Sequence, residues 1–171
     1  FISLYGHLDY TIISNSVFLE KNKINLKPNI KNKKINFGFL SNLNRAKGLD
    51  KYINIARKAL NDKKNWDFFL AGPITESKDF YLEQIKSLKN IKYNGPINKI
   101  IKKNIFYQNI DFFVFLSTYK NESEALVMLE AISNGCIPIV FDQGTVAELV
   151  PEKKLIIKNN FEFYNSFVNL V

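Results

Sequence analysis

Residues 110–142 read IDFFVFLSTYKNESEALVMLEAISNGCIPIVFD, and the folding of this stretch decides the architecture of the chain. IDFFVFL (110–116) is a continuous apolar run broken only by Asp111, which suits a strand buried on both faces. If a helix starts near Ser123, a turn of about 100° per residue puts Ala125, Met128, Leu129 and Ile132 on one face. Asn134-Gly135 stops that helix, and IPIVFD (137–142) is the next strand. The result is strand, helix, strand: a βαβ unit. Two carboxylates lie outside this apolar pattern, Glu122 just ahead of the helix and Glu130 two turns inside it.

The alternation continues outward in both directions. INFGFL (35–40) reads as a strand, and LDKYINIARKALND after Gly48 has helical spacing at Leu49, Tyr52, Ile53, Ala56, Ala59 and Leu60. WDFFLAG (66–72) is another apolar strand, followed by a polar helix near 76–89 and a short strand IKYN (91–94). A helix near 98–108 leads into residue 110. Beyond residue 142 come a short helix near 144–149, a strand KLIIK (154–158) and a last helix from about 160. Strands and helices alternating at short spacing predict an α/β, Rossmann-like, doubly wound parallel sheet over residues 35–171. Such sheets take ligands beyond the carboxyl ends of their strands, here after residues 40, 71, 94, 116 and 142.

Residues 1–34 differ. DYTIIS (9–14) and INL (24–26) have strand character, but EKNKINLKPNIKNKK (20–34) holds six lysines, four asparagines and a proline, the composition of a linker. The chain begins at Phe1 and its only methionine is Met128, so a piece of a longer protein is expected, or a start removed with a leader peptide. No apolar stretch approaches the eighteen or more residues that a membrane span needs.

Composition narrows the chemistry. The formal charge is +8, and of the 24 basic residues only Arg45 and Arg57 are arginine. Such a balance favours anionic partners, and it also follows from a Lys-, Asn- and Ile-rich composition with no function attached. The single cysteine, Cys136, permits no intramolecular disulfide and suits a small buried residue in a reducing compartment. His7 is the only histidine and has no cysteine cluster beside it, which argues against a zinc site. There is neither a GxxxxGK[ST] phosphate loop nor a GxGxxG dinucleotide fingerprint.

Periodicity alone leaves Glu130 on an ordinary solvated helix face beside Ser123, Ser133 and Asn134. Position argues otherwise. The helix follows the strand expected at the sheet centre, so its amino end lies at the ligand-binding edge, with free N–H groups and roughly half a positive charge. Glu122 would reach the same crevice, where carboxylates accept hydrogen bonds from sugar hydroxyls. FLSNLNRAKGLD (39–50) also joins a strand to a helix, and Arg45, Lys47, Ser41 and Asn42 sit in that loop. Its cations could hold a diphosphate, although two exposed charges before a helix are unremarkable alone.

Together these stretches resemble the C-terminal, donor-binding half of GT-B retaining glycosyltransferases of family 4, from about residue 24 to about 155. The specific part is Glu-x7-Glu within STYKNESEALVMLEAISNGCIPIV, supported by LSNL…KG, by FDQGTVAELV (141–150), and by Gly72 and Gly95 after their strands. The resemblance implies that Glu122 contacts the donor sugar and that Lys47 holds the diphosphate, the two catalytic positions. It implies that Glu130 takes the ribose hydroxyls and that Pro96 and Ile97 line the base. Ser123, Glu124 and Ala125 at the helix start would face diphosphate and sugar, with Arg45, Asn42 and Gly72 beside the donor. Many relatives carry arginine at the position of Asn42 and glycine at that of Ser41; either Arg45 substitutes for the missing cation or the diphosphate relies on Lys47 and the helix end. A charged Glu124 is unusual there and leaves the sugar's identity open.

The resemblance implies hexosyl-type transfer from a nucleotide-diphosphate sugar to an acceptor glycan or lipid, with retention and with no metal or other cofactor. No Asp-x-Asp pair of the kind metal-dependent sugar transferases use is present. Residues 1–34 would be the remnant of an N-terminal acceptor domain and its linker, and without that domain the chain is not expected to catalyse. Polysaccharide or lipopolysaccharide synthesis in the cytoplasm, with peripheral association at the inner membrane face, fits the resemblance, and nucleic acid is not an expected partner. Rivals are a sugar-nucleotide epimerase or phosphorylase of the same architecture, a basic anion- or nucleic-acid-binding module, and a domain that has lost activity. Lysines are dense only at 20–34 and aromatics sit in apolar runs, which counts against nucleic acid.

Overall fold

Strands rich in Phe, Ile, Leu and Val lie where helices can cover both faces of a sheet. The computed structural model describes residues 34–119, 122, 125–150, 152–158 and 162–170, together with residues 6, 11 and 13–18. Among the described residues, six parallel strands form one sheet in the order β3-β2-β1-β4-β5-β6: β1 (Ile35–Leu40), β2 (Trp66–Ala71), β3 (Ile91–Tyr93), β4 (Phe112–Phe115), β5 (Ile137–Phe141) and β6 (Ile156–Ile157). The α-helices are α1 (Leu49–Asn61), α2 (Lys78–Lys86), α3 (Ile100–Gln108), α4 (Leu126–Ser133) and α5 (Phe163–Leu170). β1 and β4 are neighbours although two strands separate them in sequence. The order therefore reverses between them, which opens a crevice at their carboxyl ends.

Alternation along the strands assigns the helices to faces. Phe37 stacks with Phe68 and Phe112 at ring-centroid distances of 5.0 and 5.4 Å and meets Phe167 of α5 at 5.1 Å. Tyr52 of α1 packs on Phe39 and Phe68 of the same face, and the Arg57 guanidinium of α1 binds Gln84 of α2. On the opposite face Tyr107 of α3 packs edge-on against Phe113, and its hydroxyl reaches the Val127 carbonyl of α4. Helices α1, α2 and α5 thus cover one face, α3 and α4 the other. Phe37 is wholly buried; cutting it to alanine would cost roughly 3–5 kcal/mol.

The predicted elements appear in the predicted order, with shorter bounds. The helix expected from Ser123 begins at Leu126, with Ala125 as its cap residue. Its buried positions are Met128 and Ala131, with Ala125, Val127 and Ile132 partly buried, so Leu129 is not part of the inner stripe. The expected helix at 144–149 is a 3₁₀ turn, Val146–Leu149. The expected strand 154–158 shrinks to Ile156–Ile157 behind a 3₁₀ turn at Lys153–Leu155, since an edge strand has a partner on one side only. Asp9, Tyr10 and Ile12 of DYTIIS lie outside the described residues, as does INL. The described end of the first, residues 13–14, is not strand, and a 3₁₀ turn at Asn15–Phe18 sits against α4. Among the described residues no helix is long and apolar enough to cross a membrane.

Candidate functional site at the carboxyl rim of β1 and β4

Three loops are stitched together at the carboxyl rim. The loop after β1 joins the loop after β2 through Leu43 N–H donating to the Pro73 carbonyl at 2.7 Å and Thr75 N–H to the Leu43 carbonyl at 3.0 Å. It joins the loop after β4 through Thr118 N–H donating to the Ala46 carbonyl at 2.8 Å. Gly48 makes that approach possible. Its φ is +91°, and a Cβ there would collide with the Leu116 carbonyl and side chain. Asn44 shapes the turn by accepting the Lys47 N–H on its side-chain oxygen at 2.9 Å.

This stitching brings Lys47 onto Glu122. Lys47 Nζ lies 2.6 Å from Glu122 Oε2, and Ser117 Oγ donates to the same oxygen at 2.5 Å. The Glu122 carboxylate is only 11% exposed and the lysine side chain 25%. Lys47 also lies over the Tyr119 ring, 5.3 Å from its centroid, and the Glu122 backbone carbonyl rests against Gly144 of the loop after β5.

Glu130 has a separate setting. Lys103 Nζ sits 2.8 and 3.1 Å from its two carboxylate oxygens, and the Tyr107 hydroxyl lies 2.9 Å from Oε2. Burial, then the Glu130 charge, raises the Tyr107 phenol well above its ordinary value, so it stays a hydrogen-bond donor. The Glu130 side chain is 24% exposed. The solvated face that helical periodicity predicts is replaced by a half-buried ion pair, because α3 packs alongside. Glu130 and Lys103 lie about a turn from the amino ends of α4 and α3, both of which begin at the carboxyl rim.

The other predicted positions scatter around these two clusters. Arg45 is exposed, its Nε 3.8 Å from Asp50 of α1, and its backbone N–H binds Glu76. Asn42 is exposed in the same loop, and Ala125 caps α4. Pro96 and Ile97 line an open groove of about 480 Å³ with Phe69, Lys92, Asn94 and Lys102. Gly72 is buried and holds the fold: its N–H donates to the Gly95 carbonyl at 2.8 Å, its carbonyl accepts from Tyr93, and a Cβ would strike the Ser41 carbonyl. Ser123 and Glu124 lie outside the described residues.

Sequence reasoning missed Ser117, Asn44, Lys103 and Tyr107. The i, i+4 spacing of Lys103 and Tyr107 puts them on one helix face, but nothing in it says that this face meets Glu130. Among the described residues no group of three or more His, Cys, Asp and Glu side chains could hold a metal ion.

Residues 20–165, which contain every cluster above, match the family described as Glycosyl transferases group 1. The chain belongs to the glycosyl transferases group 1 family. A search of curated proteins found no match. Among solved structures, the C-terminal domain of the glycosyl transferase group 1 family protein LpcC from Francisella tularensis is similar at TM-score 0.65 and 19% identity, covering 80% of this chain and 73% of that one. A point mutant of TarM from S. aureus, in complex with fondaparinux, α-GlcNAc-glycerol and UDP, is similar at TM-score 0.69 and 18% identity over 87% of this chain. HepE from Anabaena, in complex with UDP-glucose, is similar at TM-score 0.64 and 18% identity over 79% of this chain. The chain spans 30% of the TarM chain and 38% of the HepE chain. The fold is that of the Rossmann-like C-terminal domain of GT-B glycosyltransferases.

Proposed function

We propose that this chain is the donor-binding half of a retaining, family 4, hexosyl-type glycosyltransferase. The observation that carries the reading is the Lys47–Glu122–Ser117 cluster at the point where the strand order reverses. A cation and a carboxylate side by side suit a ligand with an anionic part next to a hydroxylated one, which is the make-up of a sugar joined to a diphosphate. On donor entry the diphosphate competes for Lys47, and Glu122 turns to the sugar hydroxyls. As the bond from the anomeric carbon to the diphosphate oxygen breaks, the electron pair goes to the nucleoside diphosphate, while an acceptor hydroxyl oxygen bonds the same carbon on the same face and passes its proton to the departing diphosphate. Lys47 and the N–H groups at the start of α4 stabilise that growing charge without a metal. Glu130 takes the ribose hydroxyls, and backbone near Pro96 and Ile97 lines the base. Arg45 and Asn42, with Ser123, Glu124 and Ala125, flank the donor.

An acceptor glycan or lipid would be held by a separate N-terminal domain, in the cytoplasm or at the inner face of the cell membrane, in surface-polysaccharide synthesis. The neighbours that carry UDP or UDP-glucose make a nucleotide sugar the first ligand to test. A panel of uridine, guanosine, adenosine and thymidine diphosphate sugars, read by thermal unfolding, is the direct experiment. One donor at about a hundredfold its Kd is expected to raise the midpoint by about 5–10 °C. No shift with any of them overturns the reading.

A further inference from the structure

We propose that Lys103 is a positioning residue for nucleotide recognition: from α3 it aims the Glu130 carboxylate at the ribose and so sets the preference for ribonucleotides. The inference rests on the ribose role of Glu130 given above and goes beyond it, to a residue on a different helix. Lys103 Nζ bridges both carboxylate oxygens, at 2.8 and 3.1 Å, while the Tyr107 hydroxyl approaches Oε2 alone at 2.9 Å. Three contacts thus hold a side chain with three rotatable bonds in one orientation. Oε2 carries two of them and Oε1 one, so Oε1 keeps acceptor capacity for an incoming hydroxyl.

The two partners do different work. Tyr107 is fully buried, packs on Phe113 and also reaches the Val127 carbonyl, so the fold itself holds it in place. The Lys103 side chain keeps 26% of its surface in water and meets Glu130 through its ammonium group, so water screens part of what the pair contributes to folding. Its main effect is therefore on where Glu130 points. Without Lys103, one contact would remain on one oxygen, and the carboxylate would rotate about its terminal bond.

The test measures dissociation constants of UDP, GDP and ADP and of their 2′- and 3′-deoxy counterparts for the intact chain, Lys103→Met, Lys103→Arg and Glu130→Gln. Expected is about tenfold weaker ribonucleotide binding in Lys103→Met, the scale of one charge-assisted hydrogen bond. Deoxynucleotide binding should barely change, so the ribo/deoxy preference collapses, while Lys103→Arg retains most of it. A residue needed only for folding would weaken both kinds of nucleotide alike. If Lys103→Met keeps the full preference while Glu130→Gln loses it, this inference is overturned and the ribose role of Glu130 stands. If Glu130→Gln also keeps the preference, or none of the nucleotides binds, the ribose role falls and the inference with it.

Discussion

Two lysine–glutamate pairs stand near the rim of one sheet, and they are built in opposite ways. Lys47 and Glu122 sit on loops whose backbones are bonded to each other, with Thr118 N–H on the Ala46 carbonyl and Gly48 pressed against Leu116. Lys103 and Glu130 sit on helices and meet through side chains alone, with Tyr107 between them and the core. The lysines are almost equally exposed, at 25% and 26%, but the carboxylates are not, at 11% and 24%. Backbone stitching buries its carboxylate and fixes it to the rim. Helix packing leaves its carboxylate half open and adjustable. The first design suits the reacting end of a ligand, where misplacement of about 1 Å can cost a hundredfold in rate. The second suits recognition of a part that does not react.

The largest effect is expected when the stitched pair loses its cation. Lys47→Ala is expected to cost about 2–4 kcal/mol of transition-state stabilisation in the transfer proposed above, read as kcat/KM. A loss under threefold would make the two pairs equivalent and end the distinction. A smaller effect comes from the stitching itself. Gly48→Ala forces a side chain into a backbone at φ +91° against the Leu116 carbonyl and should lower stability by about 1–3 kcal/mol in denaturant titration. It should also weaken donor binding through Lys47 and leave the ribo/deoxy preference of the helix pair intact. Loss of both functions together would show the clusters to be one unit.

The smallest effect is expected at Tyr107→Phe, which deletes one hydroxyl and leaves Lys103 in place. About 0.5–1.5 kcal/mol of stability should be lost, with little change in sugar transfer. The sign of its pH dependence is set by burial. The phenol is raised above its ordinary 10.0 in the folded state, so its contribution is complete below pH 10 and is lost as pH rises beyond it, when the unfolded phenol ionises. Equilibrium unfolding of the Phe variant should accordingly fall less steeply above pH 10; an unchanged alkaline limb would contradict the buried setting of the hydroxyl.

Much of the fold was legible because parallel strands buried on both faces must be apolar throughout. FFVF and IPIVF have no other economical fate, and the intervening residues are then left to form helices. Boundaries were less legible. The helix after β4 starts three residues later than its apolar spacing suggests, since Ala125 is extended and Leu126 is 43% exposed at the rim. Both glutamates stood out as carboxylates beside an apolar pattern. So did Lys47 as a cation in a rim loop; Ser117 and Lys103 did not, because Ser117 ends an apolar run and Lys103 is one of two adjacent lysines in a helix whose sequence does not say which neighbour it meets.

Local sequence is enough to set the order of strands and helices along the chain and to place Glu122 and Lys47 after two of those strands, because apolar periodicity and turn residues act over a few positions. Which charges meet depends on how the sheet and helices pack. Lys47 finds Glu122 across 75 residues because β1 and β4 are neighbours in the sheet, and Lys103 finds Glu130 because α3 and α4 cover the same face. Coulombic and hydrogen-bonded contacts act over a few ångströms, and only the packed sheet brings residues so far apart in sequence within that range.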